Sequence, residues 1–158
     1  MYRAVDVAYK MLELAQQRQL ALSNLQLQKL LYIAHGYLLA WKNKPMFKDD
    51  ISAWKYGPVI LGVYNQFREF GAEKIPVGAV EAGVDDHDVI EALEGTLKLY
   101  GDRDPMDLVN LTHQPNTPWY CVYEEEDGKR DLFARIPNDM IKDHYRKVIS
   151  CPDNVSGL

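Results

Sequence analysis

Ser23-Asn24-Leu25-Gln26-Leu27-Gln28-Lys29-Leu30-Leu31-Tyr32-Ile33-Ala34-His35-Gly36-Tyr37-Leu38-Leu39-Ala40-Trp41 is the stretch that decides the fold. Leu27, Leu30, Leu31, Ala34, Leu38 and Trp41 recur at helical spacing and form one stripe. From Leu30 to Trp41 only His35 and Gly36 are neither apolar nor aromatic, so apolar side chains wrap most of the circumference. A helix of that kind is buried on several sides. Those 12 residues are too few to span a bilayer, which takes about 20. Ser23 followed by Gln26 is a capping box, in which each side chain satisfies an orphan backbone N–H.

Outward from this helix the signals are local and clear. On the N-terminal side, Val5, Ala8, Leu12 and Ala15 share a face of a helix over Ala4–Gln17. The short polar run after it predicts an antiparallel hairpin with the central helix. On the other side, Lys42-Asn43-Lys44-Pro45 stops the helix, with basic residues at its negative end. Met46 to Lys55 reads as a short extended piece, Tyr56-Gly57-Pro58 as a turn, and Pro58 to Phe70 as a helix with Pro58 in its first turn. Ala72 to Asp88 has no period and predicts an exposed loop. Asp88, Asp104 and Thr117 each precede a helix start. Leu132 to Ile136 reads as a second strand, and Asn138 to Ile149 as a last helix. The expected fold class is mainly α: a compact bundle of about six helices around Ser23–Trp41, with one small two-stranded β element. Residues 1–150 are expected to form a single domain and 151–158 a flexible tail.

Length and charge narrow the function classes. A chain of 158 residues with 47 % hydrophobic and 26 % charged residues has the composition of one ordinary globular domain. Its net charge of −5 argues against phosphate-backbone binding, which needs a basic face. No signal-peptide core or membrane-length apolar run is present, and Cys121 and Cys151 make no disulfide scaffold. A cytoplasmic protein is expected.

Catalytic signatures are missing. The chain has no P-loop, GxGxxG, GxSxG, HExxH or paired CxxC. His35 sits among apolar neighbours, where it is either a tuned base or a neutral core residue with both ring nitrogens bonded. Asp85-Asp86-His87-Asp88 holds metal-ligand residue types, but also suits a helix N-terminus. His113, Cys121, His144 and Cys151 lack the close-pair spacing of zinc sites. The expectation is no enzyme, no cofactor and no metal. Trp54, Tyr56, Trp119 and Tyr120 lie at element ends beside glycine or proline, where aromatics either plug a core edge or anchor a partner.

Three strings carry a family resemblance. They are Leu27-Gln28-Lys29-Leu30-Leu31-Tyr32 with Gly36-Tyr37 and Leu39-Ala40-Trp41; Ala53-Trp54-Lys55-Tyr56-Gly57-Pro58-Val59; and Thr117-Pro118-Trp119. In order and spacing they resemble the Panacea domain family, which includes SocA-type antitoxins and GepA-like proteins of phages and genomic islands. The resemblance implies a helical domain that works by binding proteins: an antitoxin that neutralises a cognate protein toxin by direct contact. One mode it implies is that of a proteolytic adaptor handing the toxin to a Clp-type protease. It implies no nucleic-acid or membrane partner. Trp54, Tyr56, Gly57, Pro58, Pro118, Trp119 and Tyr120 are then the expected partner-binding residues. A phage-encoded inhibitor of a host protein is the alternative, and a metal-dependent hydrolase using His35 or Asp85 to Asp88 a distant third. The acidic balance suits a basic partner.

Overall fold

The computed structural model describes residues 1–78 and 83–150; the expected tail at 151–158, and with it Cys151, lies outside them. The described chain is mainly helical, as expected, with seven α-helices against the six or so expected, and a small antiparallel sheet. Helix α1 spans Ala4–Gln17 and α2 spans Asn24–Lys42. The capping box of α2 is closed on both sides: Ser23 Oγ accepts from the Gln26 N–H at 3.3 Å, and Gln26 Oε1 accepts from the Ser23 N–H at 2.9 Å. At the other end Asn43 turns left-handed with φ 53°, two residues before Pro45.

Strands β1 (Ser52–Trp54) and β2 (Gly57–Val59) form a hairpin with Ala53 opposite Pro58. Pro58 therefore lies in a strand, not in the first turn of a helix; α3 starts later and covers Leu61–Phe67, followed by a 3₁₀ turn, Arg68–Phe70. The pairing tolerates proline because the Ala53 N–H points away from β2, donating to the Ala134 carbonyl at 2.9 Å. The expected second strand at Leu132 to Ile136 is this flanking segment. It makes a single bridge, Ser52 to Arg135, and the Ile136 N–H donates to Ile51 O at 2.8 Å, but it is too short to count as a strand.

Helix α4 spans His87–Tyr100 and is capped by Asp86 rather than Asp88. Asp86 Oδ1 accepts from the N–H groups of Asp88 and Val89 at 2.8 and 3.3 Å. Helix α5 is Pro105–Thr112, and α6, Pro118–Tyr120, runs into a π-helical turn, Cys121–Glu125. A 3₁₀ turn at Gly128–Arg130 precedes α7, Asn138–Ser150. The segment before α4 is not wholly exposed: Ile75 and Val84 are buried, and the Ile75 N–H donates to Leu22 O at 2.8 Å.

Helix α2 is the central element. Leu27, Leu30, Leu31, Ala34 and Leu38 are buried, with α7 and α4 covering the helix most extensively and α5 and β2 adding to them. The predicted α1–α2 hairpin contact is slight, because α1 packs chiefly on α3 and α4. Trp41, read as the end of the core stripe, is 46 % exposed and lies under the Lys42 ammonium instead. At Gly36 the Tyr145 ring of α7 packs directly on the backbone of α2: a Cβ there would collide with it. Among the described residues no helix is long and apolar enough to cross a membrane.

Candidate partner-binding site around the hairpin

The first half of α2 carries four polar residues, Asn24, Gln26, Gln28 and Lys29, and all four are buried. Burial of polar groups is tolerated only when they are bonded. Gln28 Oε1 accepts from the Ile60 N–H at 2.8 Å, and its Nε2 donates to Asn24 Oδ1 at 3.0 Å. Asn24 Nδ2 donates to Tyr64 O at 3.2 Å. Lys29 Nζ donates to Pro58 O at 2.7 Å. These bonds hold the hairpin and the start of α3 against the central helix.

The carbonyl that Lys29 reaches is free for it because Ala53 and Pro58 are a strand pair that exchanges no hydrogen bond. Gly57 makes the approach possible. Its φ is +107°, and a Cβ there would lie 3.0 Å from both Lys29 Cε and Thr112 Oγ1. Lys29 is fully buried, and burial pulls its ammonium down to about 7.

A cavity of about 310 Å³ opens beside this cluster. Asn24, Gln28 and Lys29 contribute one wall, Trp54 and Tyr56 of the hairpin a second, and Tyr64 and Arg68 a third. The volume lies at the lower end of ligand-pocket sizes, about 300–1,000 Å³.

The seven residues expected to meet a partner divide by burial. Tyr56 is 54 % exposed, Trp54 and Tyr120 are half-buried, and Gly57, Pro58, Pro118 and Trp119 are buried. Trp119 stacks on Tyr123 at 4.7 Å between ring centroids, and its indole N–H donates to Trp54 O at 2.6 Å. Trp54 in turn donates to Leu132 O at 2.9 Å and packs edge-on against Tyr64. The structure therefore brings the hairpin string and the Thr117-Pro118-Trp119 string together, joined at Trp54. Lys29 and Arg68 were not among the sequence-derived site residues. A lysine inside a helix that is apolar on nearly all sides was the available signal.

The other candidates have structural roles. His35 Nδ1 accepts from the Met46 N–H at 3.2 Å, so the proton is on Nε2, which donates to Asn138 Oδ1 at 2.9 Å. This ties α2 to the start of α7 and to the segment after Pro45, and burial pulls His35 down to about 4. Asp86 and Asp88 both accept from Lys44, at 2.8 and 3.2 Å, and the Lys44 hydrogen bond holds the Asp86 carboxyl below its usual range. Among the described residues no three His, Cys, Asp or Glu side chains are gathered to hold a metal ion.

Residues 27–120 match the family model described as "Antitoxin SocA-like, Panacea domain". The chain is also similar to Antitoxin SocA of Caulobacter vibrioides (strain NA1000 / CB15N): 32 % identical over 151 residues, covering 89 % of this chain and 80 % of that protein. No solved structure matches.

Proposed function

Because the chain belongs to the SocA-like antitoxin family built on the Panacea domain, we propose that it is an antitoxin that neutralises a cognate protein toxin by binding it directly in the cytoplasm. One observation carries the proposal: the family match runs from Leu27 to Tyr120, so it takes in α2 from Leu27 onward, the hairpin and Trp119. Those are the elements that the buried amide, lysine and indole bonds lock into one unit. The binding face is assigned to Tyr56, Trp54 and Tyr120, the accessible members of that unit, with Gly57, Pro58, Pro118 and Trp119 holding them in place. Exposed and half-exposed aromatics on a rigid support have the character of binding anchors.

The test is affinity capture of the tagged chain from its native cell, followed by expression of any small co-purifying protein alone and together with the chain. A partner that is toxic alone and harmless in combination supports the antitoxin role. Capture only of a protein that is harmless on its own counts against it. Delivery to a Clp-type protease is the mode we attach to this binding: the toxin's level then falls on co-expression and recovers in cells lacking that protease. A constant level with full protection means masking instead.

A further inference from the structure

In a chain of net charge −5, the cavity beside the hairpin is lined by three cationic side chains, Lys29, Lys55 and Arg68, and by no carboxylate. An ammonium has three donors. Lys29 uses one on Pro58 O, and no other protein acceptor among the described residues takes the remaining two. Lys55 and Arg68 are exposed, and among the described residues neither forms an ion pair. The neighbouring amides are not searching for a ligand, since Asn24 and Gln28 are occupied with Tyr64 O, the Ile60 N–H and each other. The first turn of α2 also lines the cavity and adds the positive end of a long helix. The exposed cations and the helix end suit an anion small enough to enter between Trp54, Tyr56 and Tyr64.

We propose that this cavity is a socket for an acidic side chain presented by a protein partner, received by Lys55 and Arg68 at its mouth. The proposal rests on the binding role given above. Tyr56 at the rim supplies the aromatic contact expected around such an anchor, and the unpaired cations supply the charge complementarity that fixes its register.

The probe is acetyl-aspartyl-phenylalaninamide, titrated into the ¹⁵N-labelled full chain while the amides of Leu25, Gln28, Lys55 and Arg68 are followed. Saturable shifts are expected, at least tenfold weaker with the asparaginyl counterpart and in Lys55→Gln/Arg68→Gln, whose exposed sites leave the fold intact. No saturable shift, or equal binding of the asparaginyl peptide, overturns the socket. Propionate binding as tightly as the dipeptide assigns the cavity to a free small acid and overturns the protein-partner assignment. A captured partner that binds the double variant with unchanged affinity also overturns it, while leaving the antitoxin role standing. A chain that captures no partner yet saturates with the aspartyl peptide keeps the socket's acid chemistry and removes the antitoxin role.

Discussion

Trp119 and Trp54, 65 residues apart, are joined by a hydrogen bond from the indole N–H of the first to the backbone carbonyl of the second, at 2.6 Å. The Trp54 indole continues the chain to Leu132 O at 2.9 Å. Three segments distant in sequence are thereby fixed around one side of the hairpin. Trp119 is 4 % exposed, so its ring also fills core volume against Tyr123 and His113.

Trp119→Phe separates the two roles, keeping an aromatic ring but removing the indole donor to Trp54 O. We expect about 1–3 kcal/mol lost in urea unfolding, against roughly 3–5 kcal/mol for Trp119→Ala. An unchanged stability in Trp119→Phe would show that the hydrogen bond contributes nothing beyond ring packing.

Tyr56→Ala works in the opposite direction. With the ring 54 % exposed, stability should stay within about 0.5 kcal/mol of the native chain. Affinity for the captured partner should fall by at least about 2 kcal/mol, roughly thirtyfold, if the ring is an anchor. Unchanged affinity by calorimetry would place the contact surface elsewhere.

Stability should depend on pH on both sides of neutrality. Lys29 is held at about 7 in the folded chain against 10.5 unfolded, so between these values the unfolded chain binds more protons and stability rises with pH. The gain is about 2 kcal/mol from pH 7 to about 8.5, before the cysteine and tyrosine groups intervene, and it is absent in Lys29→Met. On the acid side His35, at about 4 folded against 6.5 unfolded, withdraws stability as pH falls through that window. Burial lowers His144 as well, in the same direction. Unfolding free energies across pH, with the two imidazoles followed by NMR, check both flanks; a flat profile would contradict the burial of Lys29 and His35.

Two helical glycines should respond with opposite signs. Gly36→Ala drives a methyl into the Tyr145 ring and should cost about 1–3 kcal/mol despite the better helix former. At Gly95, in α4, a methyl would meet nothing within 4 Å, so Gly95→Ala should stabilise by roughly 0.5–1 kcal/mol. The thermal midpoints of the two variants decide the matter; a rise in both would mean that helix propensity alone governs both sites.

What could be read from the chain follows from how far each signal reaches. The Ser23–Gln26 box and the apolar surface of α2 are properties of one turn and one helix, and both are present as read. Where two local signals compete, tertiary contacts choose. Asp86 displaces Asp88 as the cap, and Lys44 arriving from beyond α2 holds both carboxylates. Pro58, a good first-turn residue, is drawn into β2 because its carbonyl meets Lys29. The cavity was out of reach for the same reason. Its cations come from the first half of α2, the hairpin turn and the 3₁₀ turn after α3, and only folding puts them side by side.

The placement of α2 also has a consequence during synthesis. Its largest covering partner is α7, which begins at Asn138, about a hundred residues downstream. At about 5–20 residues per second, a ribosome leaves the greasiest helix of the nascent chain uncovered for several seconds or more. The Tyr145 ring can close over Gly36 only after α7 has been made. Products truncated before α7 therefore carry an open core, the kind of exposed apolar surface that quality control recognises.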